Sequence, residues 1–319
     1  MQDKKGGNRM LEMMLSLLLL SLGFVMLVKG ADWFVSGASG IAERFGIPQL
    51  VIGLTIVAMG TSAPEAAVSI AAALKGNADI TIGNIVGSNI LNVLIILGIS
   101  SVIVPLAVSK STICREIPFM IAITALLLIQ GKDGCVGLLD GVVLALLFLL
   151  YLLYLFYTSK KDDTAGEVSV KKQKLWQSVL GAVTGLLLII LGSNVSVDAA
   201  SAIARNLGMS ERFIGLTIVA LGTSLPELFT SVSAARRGNA DIAIGNIVGS
   251  NIFNILFVVG LSALITPIPF SAGFYVDTVV AAAAGILLLI CSARGKKLSR
   301  GHGIVMLLGY LLYFVFICL

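Results

Sequence analysis

Gly60, Thr61, Ser62, Pro64 and Glu65 stand together in an otherwise apolar run, and Gly222, Thr223, Ser224, Pro226 and Glu227 repeat them 162 residues later. Pro64 has no N–H and its ring clashes with the carbonyl of Gly60, so a helix carrying it must open just before it. Opened carbonyls, the Thr61 and Ser62 hydroxyls and the Glu65 carboxylate make a set of oxygens of mixed backbone and side-chain origin. Hard cations such as calcium take about six to eight oxygens of this kind. A Gly-Thr-Ser-x-Pro run alone reads equally well as a kinked packing helix with satisfied hydroxyls. The glutamates change that balance, because an ionisable group at mid-helix in a bilayer costs about 2.5–3.5 kcal/mol or more and is functional by default.

The apolar segment that follows each run carries a second polar set. Ser88 and Asn92 are four apart and share a helix face, as do Ser250 and Asn254, so both pairs can turn their oxygens into one cavity. Asn84, Asn89, Asn246 and Asn251 fit two roles, an ion ligand or a bond to the freed backbone of a neighbouring helix. Gly83, Gly87, Gly245 and Gly249 have small-xxx-small spacing and read as contact surfaces that bring these helices close to the broken ones.

Both sets belong to one duplicated unit. The 48 residues from Gly53 and the 48 from Gly215 match without a gap at about two thirds of positions, the mark of a repeated structural element rather than shared composition.

The elements that must position these residues are membrane helices. Hydrophobic residues are 57% of the 319, charged residues 12%, and mean hydropathy is +1.02, which excludes an ordinary soluble domain. The net charge of +5 comes from basic residues in short loops and implies no nucleic-acid partner. Cys114, Cys135, Cys291 and Cys318 lack metal-ligand spacing, and the single histidine, His302, sits in a loop, so no zinc, redox or other cofactor is expected. Lys4, Lys5 and Arg9 before the apolar run to Val28 resemble a signal peptide. With no small-residue cleavage site, the run reads as a membrane helix.

At about 20 residues per crossing the expected fold is an all-α membrane protein of about ten spans. These are Leu11–Arg44, Pro48–Lys75, Asp79–Val104, Thr112–Gln130, Gly137–Thr158, Leu175–Asn206, Ser210–Arg237, Asp241–Ile265, Ser271–Ser292 and Gly301–Cys318. Lys29 and Asp32 lie three apart on the first span and read as a local pair. The hydrophilic stretch with five lysines divides the chain into a five-helix repeat (1–158), a linker (159–174) and a second repeat (175–319). Five helices separate equivalent positions, so the repeats must be inverted, as in many secondary transporters with a midplane site. With the N-terminus outside, fourteen basic residues fall on the linker side and seven opposite, which makes the linker cytoplasmic.

The pairs GTSAPE with GNIVGSNILN and GTSLPE with GNIVGSNIFN resemble the two alpha-repeats of the calcium/cation antiporter superfamily, and most closely the sodium/calcium exchangers. The resemblance implies exchange of sodium for calcium, about three for one, at a central cluster of about four sites near the midplane. It implies ligands from the Ala58 and Ala220 carbonyls and from Thr61, Ser62, Glu65, Ser88, Thr223, Ser224, Glu227 and Ser250, with Asn92 and Asn254 completing the cluster. Proton/calcium exchangers of the superfamily usually carry glutamate where this chain has Gly87 and Gly249. Some sodium/calcium exchangers, the potassium-dependent branch among them, have aspartate at the place of Asn254. Both departures favour sodium coupling without potassium. The first and sixth spans, long and outside the repeated core, are candidates to slide past it, a role the resemblance supports.

Partners expected are sodium and calcium ions and the lipid bilayer; nothing in the sequence specifies an oligomeric state. The alternatives are a proton-coupled antiporter and a cation channel lined by the same oxygens. An intramembrane enzyme using Ser62 or Ser224 lacks a general base, since no membrane histidine exists and Lys29 has no second-repeat equivalent.

Overall fold

The computed structural model describes residues 2–159, 174–209 and 220–318, nearly all of them helical because in hydrocarbon each backbone N–H and C=O needs a partner within the fold. In chain order the helices are α1 (Gln2–Phe45), α2 (Gln49–Thr61), α3 (Ala63–Leu74), α4 (Ile80–Ile103), α5 (Thr112–Asp133) and α6 (Leu138–Ser159). After the linker come α7 (Leu175–Asn206), α8 (Ala220–Thr223), α9 (Leu225–Arg236), α10 (Ala240–Ile265), α11 (Ala272–Ala293) and α12 (Arg300–Cys318). Among the described residues eight helices are long and apolar enough to cross a bilayer, and α2 with α3, bent by 51°, makes a ninth. The expected span Ser210–Arg237 begins outside the described residues, as does most of the linker. Its visible part, α8 and α9, is interrupted at Ser224. Where the residues are described, span boundaries read from sequence hold to within a few residues, except that α1 continues back to Gln2.

The centre is formed by α4 and α10, whose most apolar windows are 78% and 83% buried, against 39% or less for the other long spans. Leu149 and Leu153 on α6, Leu187 on α7 and Leu312 on α12 are more than half exposed, as lipid-facing side chains must be.

α1 lies along α7 on a seam of small residues: Gly23, Gly30 and Gly37, spaced by seven, against Gly192, Gly185 and Ala182. A methyl group on Gly30 would stand 2.8 Å from the Gly185 carbonyl oxygen, and one on Gly192 would stand 2.9 Å from that of Gly23. The backbones therefore touch, which is how apolar helices associate without a hydrophobic driving force. Low numbers meet high numbers, so the two helices run antiparallel, and Gly23 and Gly30 are the 162-residue equivalents of Gly185 and Gly192.

Among the described residues four short strands, outside the all-α expectation, tie the loops together. β1 (Leu106–Ala107) pairs antiparallel with β4 (Lys297–Leu298), and β2 (Cys135–Val136) with β3 (Ile268–Pro269). Each ladder joins a loop of the first half to a loop of the second.

The expected local pair on α1 is corrected: Asp32 turns to α9 instead of Lys29. Its Oδ1 accepts from Ser233 Oγ at 2.6 Å and meets the Arg237 guanidinium at 3.4 Å. A guanidinium reaching from a helix end offers a fork of donors at less desolvation cost than an ammonium on the same lipid-covered helix.

Candidate functional site

The two broken helices pack against the central pair α4 and α10. At Ser62 the backbone leaves helical geometry (φ −82°, ψ 6°), and at Ser224 it does the same (φ −91°, ψ 4°). Each break is followed at once by a helix with proline in its first turn, where the missing N–H costs nothing. The interruption thus falls at the expected residues in both halves, and Glu65 and Glu227 occupy the first turn beyond it. Both carboxylates are 1% exposed, and each lies within electrostatic reach of the other.

The halves are stitched together here. Ser62 Oγ donates to Glu227 Oε1 at 2.8 Å, Thr61 Oγ1 to Asn246 Oδ1 at 3.0 Å, and Ser250 Oγ to the Ala58 carbonyl at 3.4 Å. Gly249 permits this contact: a methyl there would fall 2.7 Å from the backbone of Leu54 and 2.8 Å from Ala58 Cβ. Gly245 faces Gly53 in the same way, whereas Gly83 meets the ring of Phe274. The contact-surface reading of the glycines therefore holds at Gly245 and Gly249.

The uncertain asparagines divide into two symmetric pairs. Asn84 Nδ2 donates to the Glu65 carbonyl at 3.3 Å and to Ser69 Oγ at 3.0 Å; Asn246 Nδ2 donates to the Glu227 carbonyl at 3.4 Å and to Ser231 Oγ at 2.9 Å. These two brace the backbone of the helices that carry the glutamates. Asn89 and Asn251 each donate to the other's carbonyl at 3.2 Å, locking α4 to α10.

That lock leaves the Oδ1 atoms of Asn251 and Asn89 free to accept, from Asn92 Nδ2 at 2.9 Å and from Asn254 Nδ2 at 3.1 Å. The network thereby assigns both amide orientations. With its NH2 group engaged, each of Asn92 and Asn254 keeps a buried Oδ1 that has no donor. Glu65 Oε2, Glu227 Oε2 and Ser224 Oγ are likewise buried without a partner.

Asn92 and Asn254 each begin a π-helical stretch, Asn92–Leu97 and Asn254–Val259, and another π turn, Gly53–Val57, leads into Ala58. Such turns re-aim side chains and gather at functional sites. Ser88 is buried on α4. Thr223 ends α8, and Ala220 opens it at the limit of the described residues. Among the described residues no three His, Cys, Asp or Glu side chains gather as a resident metal site would require.

Chemically, this is a buried cluster with two carboxylates, acceptor oxygens from both halves and too few protein donors. Each unmet buried acceptor costs about 1–3 kcal/mol, and an ionised one more. Such a site demands a positive charge. Of the two roles open to Asn84, Asn89, Asn246 and Asn251 in the sequence, the structure shows the bond to a neighbouring helix's backbone; the sequence does not separate the two roles, because only the packing of α4 on α10 distinguishes a ligand amide from the one that holds it.

A family model described as sodium/calcium exchanger protein matches residues 15–157 and again residues 177–319, two stretches that begin and end 162 residues apart. This chain belongs to the sodium/calcium exchanger family. Its relatives include the putative antiporter CaxA of Alkalimonas amylolytica, 39% identical over 94% of this chain and 98% of the relative. The sodium/calcium exchanger MaX1 of Methanosarcina acetivorans is 34% identical over 93% and 97%. Among solved structures, the sodium-calcium exchanger NCX_Mj soaked with sodium and strontium superposes with a TM-score of 0.84 at 33% identity, covering 95% of this chain and 99% of that one.

The family is one of cation/calcium antiporters embedded in membranes, so the chain is a multi-pass transporter and not an enzyme. Sodium and calcium are substrates of the exchanger family, cargo rather than cofactors.

Proposed function

We propose that this chain exchanges sodium for calcium across a cell membrane by alternating access, electrogenically and without potassium. The observation that carries the reading is the pair of buried glutamates, one from each half, facing a cluster whose free atoms are acceptors. The ions are held by the Ala58 and Ala220 carbonyls, the side chains of Thr61, Ser62, Glu65, Ser88 and Asn92, and their counterparts Thr223, Ser224, Glu227, Ser250 and Asn254.

The architecture we infer is ten spans in two inverted five-helix repeats, 1–158 and 175–319, joined by a cytoplasmic linker at 159–174, with the N-terminus outside. The antiparallel seam between α1 and α7 supports inversion, because exchanging equivalent residues turns the Gly23–Gly192 contact into the Gly185–Gly30 contact. The two ladders support it too, since each pairs loops assigned to one side of the membrane.

Two carboxylates balance one calcium ion, so the calcium-loaded crossing moves almost no charge. About three sodium ions leave the site near +1, and each charge moved across the field is worth about 2.3 kcal/mol per 100 mV. Shared ligands make the ions compete, and an empty pair of buried carboxylates is too costly to carry across. α1 and α7, outside the central pair, are the elements that shift to switch access.

The test is calcium-45 uptake into proteoliposomes under an outward sodium gradient, with proton gradients collapsed and potassium present or absent. Uphill uptake that potassium leaves unchanged supports the reading. Uptake that requires a pH gradient assigns proton coupling instead, and flux that only runs downhill assigns a channel.

A further inference from the structure

The long helices hold the two broken helices unequally. Pro226 lacks the N–H that would bond the Gly222 carbonyl, as Pro64 lacks the one for Gly60. In the second half Ser193 Oγ on α7, 4% exposed, donates to that Gly222 carbonyl at 2.7 Å. Val197, one turn on, packs so closely that a methyl group on Gly222 would collide with it. The first half differs at the same places. The equivalents of Ser193 and Val197, 162 residues back, are Ala31 and Val35, and Ala31 has no hydroxyl to give the Gly60 carbonyl. A methyl group on Gly60 would meet Phe34 and Leu186 instead, at 3.2 and 3.3 Å.

The packing follows the same inequality. α1 lies along α9, while among the described residues α7 makes no comparable contact with α3, the counterpart of α9. Val68 on α3 is 46% exposed, and its equivalent on α9, Thr230, is 0% exposed. The end of α9 is also tied to α1 through Asp32, Ser233 and Arg237. Their equivalents, Asn194, Ala71 and Lys75, cannot form an ion pair between α7 and α3. The molecule is thus closed where α9 runs and looser where α3 runs.

Inverted repeats open a shared site to one side or the other by moving one part against another. By the symmetry of the repeat, the opposite state gives each half the conformation its counterpart has here. The first broken helix would then need the bond that Gly222 now accepts, and Ala31 cannot supply it. In hydrocarbon no water replaces the missing donor. We propose, on the exchange reading above, that Ser193 is a positioning residue for access switching: through the Gly222 carbonyl it holds the second broken helix on α7 and favours the state in which α9 is closed.

The test is calcium-45 uptake by sodium-loaded membrane vesicles carrying the full chain, prepared in both orientations. Where the binding-competent state is only a fraction of the population, apparent affinity falls by that fraction. Ser193→Ala should enlarge the state open at the end of α9, so calcium half-saturation at that face should fall about tenfold, the effect of one buried carbonyl left unmet. Ser193→Thr, which keeps the hydroxyl, should stay near wild type. Ala31→Ser gives the first half its hydroxyl and should shift the same face in the same direction, whereas Ala31→Cys, of similar size but a weak donor, should not. A packing role alone would lower maximal flux without improving affinity at either face. That result, or a half-saturation unchanged or raised at both faces in Ser193→Ala, would overturn the proposal. Should Ser193→Ala fail to fold, Ala31→Ser decides the matter by the same criterion. Wild-type vesicles without sodium-dependent uptake would instead strike the exchange reading beneath it.

Discussion

Asn251 touches no proposed ion, yet its replacement by alanine should weaken calcium binding. In the native network Asn92 Nδ2 donates to Asn251 Oδ1 at 2.9 Å, which leaves Asn92 Oδ1 as the group available to the site. In Asn251→Ala the Asn92 amide has no anchor at either end, so it turns over freely and half its orientations present a donor to the cation. Holding Oδ1 inward now strands a buried NH2 group, at about 1–3 kcal/mol. At about 1.4 kcal/mol per tenfold, calcium affinity should fall by roughly tenfold to a hundredfold. The Asn254 arm, anchored on Asn89 Oδ1 at 3.1 Å, still functions, so transport persists at high calcium. Half-saturation of calcium-45 uptake in proteoliposomes measures the effect, with thermal unfolding in calcium-free buffer run beside it. An unchanged half-saturation in Asn251→Ala would refute the reasoning, and so would a fall in maximal flux at unchanged affinity that tracks lost stability.

Gly249→Ala should cost about 1–3 kcal/mol by overpacking, because the added methyl meets the Leu54 backbone; a lowered unfolding temperature together with reduced flux checks this. Protons compete with cations for Glu65 and Glu227, so acidification should raise the calcium concentration needed for half-maximal exchange; a steady rise in rate with acidification would point to proton coupling. Asp32→Asn should lower stability by no more than about 1 kcal/mol, since the Arg237–Asp32 ion pair is more than a third exposed, a shift that denaturation in detergent can read.

Much of this fold is legible in the sequence because bilayers impose strong local rules. Apolar run length located α4, α7 and α12, proline located both breaks, and the 162-residue repeat linked Glu65 to Glu227. What escaped is what only neighbours decide. Asp32 and Lys29 share a helix face, but the partner of Asp32 comes from α9. Gly23, Gly30 and Gly37 stand seven residues apart, a spacing that acquires a meaning only with α7 alongside. Asn89 and Asn92 have the same side chain, three residues apart, and only the approach of α10 separates the amide that anchors from the one that faces the site. Strands of two residues leave no periodicity to read.

The central claim is that Glu65 and Glu227 hold one calcium ion between them and yield it to sodium. Equilibrium calcium-45 binding to the purified protein tests it most directly, with sodium titrated in and with Glu65→Gln and Glu227→Gln compared with the wild type. Removing one partner from a buried charge pair costs about 3–5 kcal/mol. Each single variant should therefore lose calcium binding by roughly a hundredfold or more while staying folded, and sodium should displace calcium from the wild type. Calcium retained at wild-type affinity by either variant, or calcium that sodium does not displace, would contradict the account.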